Sequence, residues 1–238
     1  MILGKSCTRF CRFCNVSTQK HSHELPVDPD EPQKIADSIK EMGLDYVVIT
    51  MVHRDDLADG GASHLSQVLR VVRTNIPSIK VEVLTGDFQS DYHALNLVLS
   101  EHPVVFAHNV EVVERLTALV RDPRANYQKS LAILNHCKHA ADAPMFTKSS
   151  LMLGLGESLD EIVITLEDLR RAEVDFVTIG QYLQPSKVHL AVEKYWSPEE
   201  FEKIGIVARN LGFLSVASGP HVRSSYQARE FYLKALSQ

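Results

Sequence analysis

Three of the four cysteines fall within eight residues, Cys7-Thr-Arg-Phe-Cys11-Arg-Phe-Cys14. Three thiolates at CxxxCxxC spacing cannot close a four-cysteine tetrahedral site, so a metal held there keeps one position for a histidine, a water or an exogenous ligand. An iron-sulfur cluster bound in this way leaves one iron open to a chelating molecule. A structural zinc site would instead need a fourth ligand, which His21 or His23 could supply by looping back. A disulfide would need an oxidising compartment, and the first residues lack a charged n-region, an apolar h-region and a small-residue cleavage site.

The elements that must position this loop follow from hydrophobic patterning. At 238 residues and 45% hydrophobic content the chain can bury a large core, and one α/β domain spanning 1–238 is the favoured reading. A net charge of -5 and a pI near 6.1 give no basic field for nucleic acid. No apolar run reaches the roughly 18 residues of a membrane span.

Residues 1–4 read as the end of a first strand, with the chain starting inside it. A helix with Asp30 as N-cap should place Ile35, Ile39 and Met42 on one face and close at Gly43. Strands are expected at 46–51, 80–85, 103–106, 147–153 and 176–182, with a short last one at 213–217 in the C-terminal tail, 213–238. Helices are expected at 62–75, 90–101, 126–140, 158–171 and 197–212, the last two opened by capping boxes at Ser158/Glu161 and Ser197/Glu200. Cys137, on a stripe with Leu131 and Leu134, reads as a small buried hydrophobe. The alternation predicts six βα units with parallel strands in a closed or nearly closed barrel, its active site at the C-terminal strand ends.

Polar clusters follow each strand. After the second comes His53-Arg54-Asp55-Asp56-Leu-Ala-Asp59-Gly60-Gly61, whose paired glycines either free backbone groups for a charged amino-acid moiety or make a solvated turn. Asn109 and Glu111 could hydrogen-bond a ribose or cap the next helix. Lys148, inside an apolar strand, is costly unless paired and should reach an anion within the barrel. Gly154 opens a Gly-x-Gly pair without GxGxxG spacing, so nothing marks a dinucleotide fold. The pair Ser224-Ser225 reads as a hydrogen-bonding turn or, more rarely, as a cluster ligand.

Together CTRFCRFC, HRDDLADGG, HNVE, TKSSLMLGLGE, IGQYLQPS and SGPHVRSSY, in this order over nearly the whole chain, resemble the lipoyl synthase family of radical S-adenosylmethionine (SAM) enzymes. The resemblance implies a partial (β/α)6 radical SAM barrel with a short C-terminal extension. It implies that Cys7, Cys11 and Cys14 bind a [4Fe-4S] cluster, with Phe13 at the aromatic position of CxxxCxΦC and SAM as the open-site ligand. Phe13, Gly60, Gly61, Asn109, Glu111, Lys148 and Gly154 would be SAM contacts. Reductive SAM cleavage would give a 5′-deoxyadenosyl radical, and sulfur would enter at carbons 6 and 8 of an octanoyl chain on a lipoyl carrier domain.

Such a reaction implies an electron donor such as ferredoxin or flavodoxin, and a cytoplasmic location or an organellar matrix if a targeting segment was removed. The family's sulfur donor is a second [4Fe-4S] cluster, bound by an upstream CxxxxCxxxxxC motif and a serine of RSSY, here Ser224 or Ser225. RSSY is present and the upstream motif is not, so the expectation is an N-terminally truncated chain. A relative that cleaves SAM without inserting sulfur is the alternative, and a structural zinc module the alternative of another class. His53 stands where the family usually has Asp, Thr85-Gly86 where it has Ile-Pro, and Ala107 where it has Asn.

Overall fold

The β-rich apolar runs form strands and the intervening amphipathic segments form helices packed on them. The computed structural model describes residues 1–18 and 26–237. In chain order these carry β1 (Ser6–Cys7), β2 (Ser17–Thr18), α1 (Glu31–Glu41), β3 (Tyr46–Thr50), α2 (Ala62–Asn75), β4 (Lys80–Leu84), α3 (Tyr92–Leu99) and β5 (Val105–Ala107). Then follow α4 (Glu114–Val120), α5 (Tyr127–Ala140), β6 (Phe146–Leu153), α6 (Leu159–Arg171), β7 (Phe176–Gln181), α7 (Pro198–Asn210), β8 (Ser215–Gly219) and α8 (Ala228–Leu236). His21 and His23 lie outside the described residues.

Six strands form one parallel sheet in sequential order, β3-β4-β5-β6-β7-β8. Sequential parallel order with helical crossovers is the partial-barrel arrangement, and it brings the C-terminal ends of all six strands to one rim. β6 and β7 are buried along nearly their whole length, as a parallel sheet covered on both faces requires. One apolar layer joins α6 and α7 to β6 and β7 through Leu166, Leu169, Phe201 and Ile204; another joins α2 and α3 to β3 and β4 through Leu65, Val68, Leu95 and Val98. Cys137 is fully buried in the second layer, as its helical stripe indicates.

The expected first strand is reduced to a single parallel bridge from Ile2 to Met51. Leu3 (φ 68°) and Gly4 (φ 101°) enter the left-handed region, which ends extended pairing at once. Asp30 occupies the N-cap of α1 without a side-chain cap bond, and Met42 is 62% exposed because the helix ends at Glu41; Pro32, Ala36 and Ile39 form the buried face instead. The helix expected over 90–101 is shorter, preceded by a 3-10 turn at Phe88–Ser90 in which Asp87 accepts from the Gln89 amide. Neither α4 nor α8 was anticipated by patterning.

Both predicted capping boxes form. Ser197 Oγ accepts from the Glu200 amide at 3.2 Å, and Glu200 Oε2 accepts from the Ser197 amide at 2.7 Å. Ser197→Ala should cost about 1 kcal/mol of stability, read as a lower urea midpoint at unchanged m-value.

Candidate metal and cofactor site

The cysteine loop is closed at its base by β1 and β2, which pair Ser6 with Ser17 and Cys7 with Thr18. Within it the Cys14 amide donates to the Cys11 carbonyl at 3.1 Å, a tight turn that brings these two residues together. The loop lies across the rim: the Thr8 amide donates to the His53 carbonyl (3.0 Å) beyond β3, and the Arg12 amide to the Val120 carbonyl (2.8 Å) at the end of α4. On its other side His189 Nε2 donates to the Cys14 carbonyl at 3.1 Å.

Cys7, Cys11 and Cys14 are free, half-buried, and line one open cavity of about 820 Å³ together with Phe13, Asn109 and Glu111. Burial pushes the Cys11 thiol up to about 11 and also raises Cys14. Opposing this, backbone amides are aimed at sulfur, Arg9 N–H at Cys7 and Asp122 N–H at Cys11, both at 3.4 Å. Such donors suit sulfurs carrying the negative charge of a cluster. Among the described residues no three His, Cys, Asp or Glu side chains converge tightly enough to hold a single metal ion. His21 and His23, the histidines a zinc site would call on, lie outside the described residues.

Glu111 sits at φ 68°, an unfavourable conformation for a side-chain-bearing residue. It is held there because its amide donates to Ser150 O (3.1 Å) and its carbonyl accepts from Met152 N (2.7 Å), and its carboxylate accepts from Asn109 Nδ2 at 3.2 Å. Burial raises the Glu111 carboxyl, and the nearby Arg121 guanidinium works against that shift. A second open cavity of about 560 Å³ shares Phe13, Asn109 and Glu111 with the first and is lined on its far side by Tyr182, Arg223 and Ser224. Ser224 is half-buried in that lining, whereas Ser225 is exposed.

The other sequence candidates line neither cavity. Gly60 and Gly61 open α2 in the left-handed region, where a Cβ on Gly61 would strike Leu3 at 2.5 Å. A Cβ on Gly154 would lie 2.1 Å from Gln181 Nε2, and the Gly154 amide is taken by Glu157. Lys148 does reach an anion, but one supplied by the protein: Nζ lies 2.8 Å from Glu82 Oε1, both side chains are buried, and Tyr46 O–H donates to the other Glu82 oxygen at 2.7 Å.

Sequence reasoning missed Arg121 and the polarity of the cavity wall. Arg121 Nε, His53 Nε2 and Thr85 Oγ1 are buried without a hydrogen-bond partner among the described residues, and all three residues line the first cavity. Unpaired polar atoms gathered on one wall mark a place for a polar ligand. Burial, with the Arg9 charge, pushes His53 down to about 3, so its imidazole is neutral at physiological pH. Burial likewise lowers His108 to about 4, and its Nδ1 donates to Thr85 O while Nε2 accepts from Ser130 Oγ, both at 3.0 Å.

A parallel sheet of this order, with a three-cysteine loop over its rim and a cavity beneath that carries a few unpaired polar groups, is the arrangement of an enzyme barrel built around a metal cluster. Residues 1–169 match the Radical SAM superfamily, and the chain belongs to it. Membership implies a [4Fe-4S] cluster and SAM as cofactors. The chain is 50% identical over 234 residues to "Lipoyl synthase, mitochondrial" of Leishmania braziliensis, covering 98% of this chain and 61% of that protein. It is also 50% identical over 236 residues to the protein of the same name from Branchiostoma floridae, covering 99% and 62%. The chain thus spans about three fifths of the length of these curated relatives. Among solved structures, methylornithine synthase superposes with a TM-score of 0.63 at 12% identity, over 95% of this chain and 74% of that one, a likeness of fold.

Two outcomes follow from this geometry. In the metal-free protein, Cys11 should alkylate slowly at pH 7, with a rate rising about tenfold per pH unit until pH nears 11, because only the thiolate reacts; site-resolved mass spectrometry after iodoacetamide checks it. Lys148→Met should destabilise the fold by about 3–5 kcal/mol by stranding Glu82, and adding Glu82→Gln should recover much of the loss in chemical denaturation.

Proposed function

We propose that this chain carries the radical-generating centre of a lipoyl synthase, acting on an octanoyl chain attached to a lipoyl carrier domain. The observation that carries the reading is the pair of adjoining cavities with a common wall of Phe13, Asn109 and Glu111, one lined by the three cysteines and the other by Ser224. The names of the half-identical relatives point the same way. When bound, the reduced [4Fe-4S] cluster and SAM supply the hydrogen-abstracting chemistry that opens unactivated C–H bonds to sulfur.

The protein's own contribution is placement. Cys7, Cys11 and Cys14 hold the cluster. Glu111 and Arg121 bring charges of opposite sign to the first cavity beside the triad, the complement of an amino acid's ammonium and carboxylate groups. Asn109 orients the Glu111 carboxylate through its 3.2 Å hydrogen bond. The largely apolar wall of the first cavity, with Val16, Met51, Val52 and Leu84, offers an alkyl chain apolar surface to pack against. Ser224, rather than the exposed Ser225, is the serine available to a second cluster.

Sulfur insertion needs that second cluster as donor, and the only cysteine here outside the triad, Cys137, is sealed in the core. An electron donor of the ferredoxin or flavodoxin kind completes the set of partners. Among the described residues no helix is long and apolar enough to cross a membrane. The relatives' names favour an organellar matrix over the cytoplasm.

The test is iron and sulfide per chain after anaerobic reconstitution, followed by incubation with SAM, reductant and an octanoyl-lysine peptide. About four irons, lost in Cys7→Ala/Cys11→Ala/Cys14→Ala, with 5′-deoxyadenosine formed, are expected for the triad-bound cluster. Lipoyl product would extend the reading to sulfur insertion, 5′-deoxyadenosine without it would limit this chain to SAM cleavage, and iron near zero would sink the reading.

A further inference from the structure

Arg9 lies inside the cysteine loop, two residues from Cys7 and two from Cys11, yet it points away from solvent and is 2% exposed. Its guanidinium is gripped by two carboxylates. Nε donates to Asp55 Oδ2 (3.0 Å) and Nη2 to Asp55 Oδ1 (2.8 Å). Nη1 donates to Asp87 Oδ2 (2.7 Å) and Nη2 also to Asp87 Oδ1 (2.5 Å). Asp55 belongs to the loop after β3 and Asp87 to the loop after β4, so one side chain ties the cysteine loop to two neighbouring strand ends.

Neither carboxylate is free to relax. Asp55 also accepts from Thr8 Oγ1 at 2.6 Å, and its amide donates back to that hydroxyl at 3.1 Å. Asp87 caps its own turn through the Gln89 amide, with Lys129 Nζ at 3.7 Å. The loop is also held by the segment after α4, whose Arg124 reaches Asp55 as well, with Nη1 3.3 Å from Oδ2. Asp122 accepts from the Phe10 amide at 2.9 Å, and Arg124, paired with Asp122, donates to the Thr8 carbonyl at 2.6 Å. Residues 8–10, which set the separation of Cys7 and Cys11, are thereby each bonded to one of these neighbouring loops.

We infer that Arg9 is a positioning residue for the cluster: its double fork to Asp55 and Asp87 sets the placement of Cys7 and Cys11, and through them the orientation of SAM on the open iron. The inference rests on the cluster assignment made for the triad. A planar guanidinium can hold two carboxylates at once in fixed geometry, which an ammonium cannot. Groups that orient metal ligands typically change metal affinity or activity by roughly 10–100-fold when removed.

The experiment compares wild type, Arg9→Lys and the charge-neutralised triple variant Arg9→Met/Asp55→Asn/Asp87→Asn, each reconstituted anaerobically. Circular dichroism reports folding, iron content reports loading, and the EPR spectrum of the reduced cluster is titrated with SAM. The triple variant removes the fork without stranding a buried charge, and Arg9→Lys keeps the charge without the double fork, so either folded variant separates placement from charge compensation.

Folded, iron-loaded variants whose SAM-induced EPR change needs roughly 10–100-fold more SAM, or is altered in shape, are the expected result. A wild-type titration in either folded variant would overturn the inference and leave Arg9 a structural ion pair. Variants that fold but take up no iron, beside a fully loaded wild type, would also support it. A wild type that takes up no iron would instead fail the cluster assignment itself.

Discussion

An interior formed by parallel strands covered on both faces gives an ionised side chain no water, so each buried charge must meet a counter-charge or hydrogen-bond donors inside the fold. That requirement explains which residues touch. Lys148 on β6 meets Glu82 on β4 across β5, with Tyr46 of β3 completing the hydrogen bonding. Arg9 meets Asp55 and Asp87 at the rim. Glu157 accepts from the Gly154 and Leu155 amides and from the Trp196 indole, which fixes the turn after β6. The Lys148 and Arg9 pairs join elements far apart in sequence and make the geometry of the rim depend on the pairing of charges beneath and beside it.

The parts of this arrangement legible in the sequence were those with local causes. β3, β4, β6 and β7 announce themselves by continuous apolar runs, and α6 and α7 by capping boxes whose two hydrogen bonds close within four residues. The triad is legible because its chemistry resides in spacing alone. What escaped reading has a distant or irregular cause. The N-cap of α4 is Val113 and that of α8 is Gln227, neither giving a side-chain cap, so no local signal marks either start. The pairing of Arg9 spans 46 residues to Asp55 and 78 to Asp87. An arginine between two metal-binding cysteines, with aspartates after the next two strands, was the available signal, a pattern of charge rather than of periodicity.

Lys148 shows the same division. Its position in an apolar strand correctly demanded an anion, since that demand is set by burial. Whether the anion was a ligand or Glu82 depended on the register of three strands, which pairs Leu84 with Ala107 and Ala107 with Lys148, and so sets Lys148 two residues along from Glu82. Gly61 and Gly154 are alike: a need for close approach was readable from glycine, and the protein groups that approach are Leu3 and Gln181.

The departures from the lipoyl synthase pattern at residues 53 and 86 are physically a single change. Gly86 faces the His53 ring so closely that a Cβ there would lie 2.8 Å from both Cδ2 and Nε2. A proline at 86 carries that carbon, so His53 could not keep this ring position beside it; conversely, an aspartate at 53 is smaller and would not need the space. The exchange also alters the electrostatics of the wall. An aspartate would add a negative charge beside Arg9, Asp55 and Asp87, whereas the imidazole, pushed down to about 3, adds none at physiological pH. The cavity beside the triad therefore keeps Glu111 as its carboxylate facing the cysteines, and presents at His53 a neutral group able to donate or accept according to its tautomer.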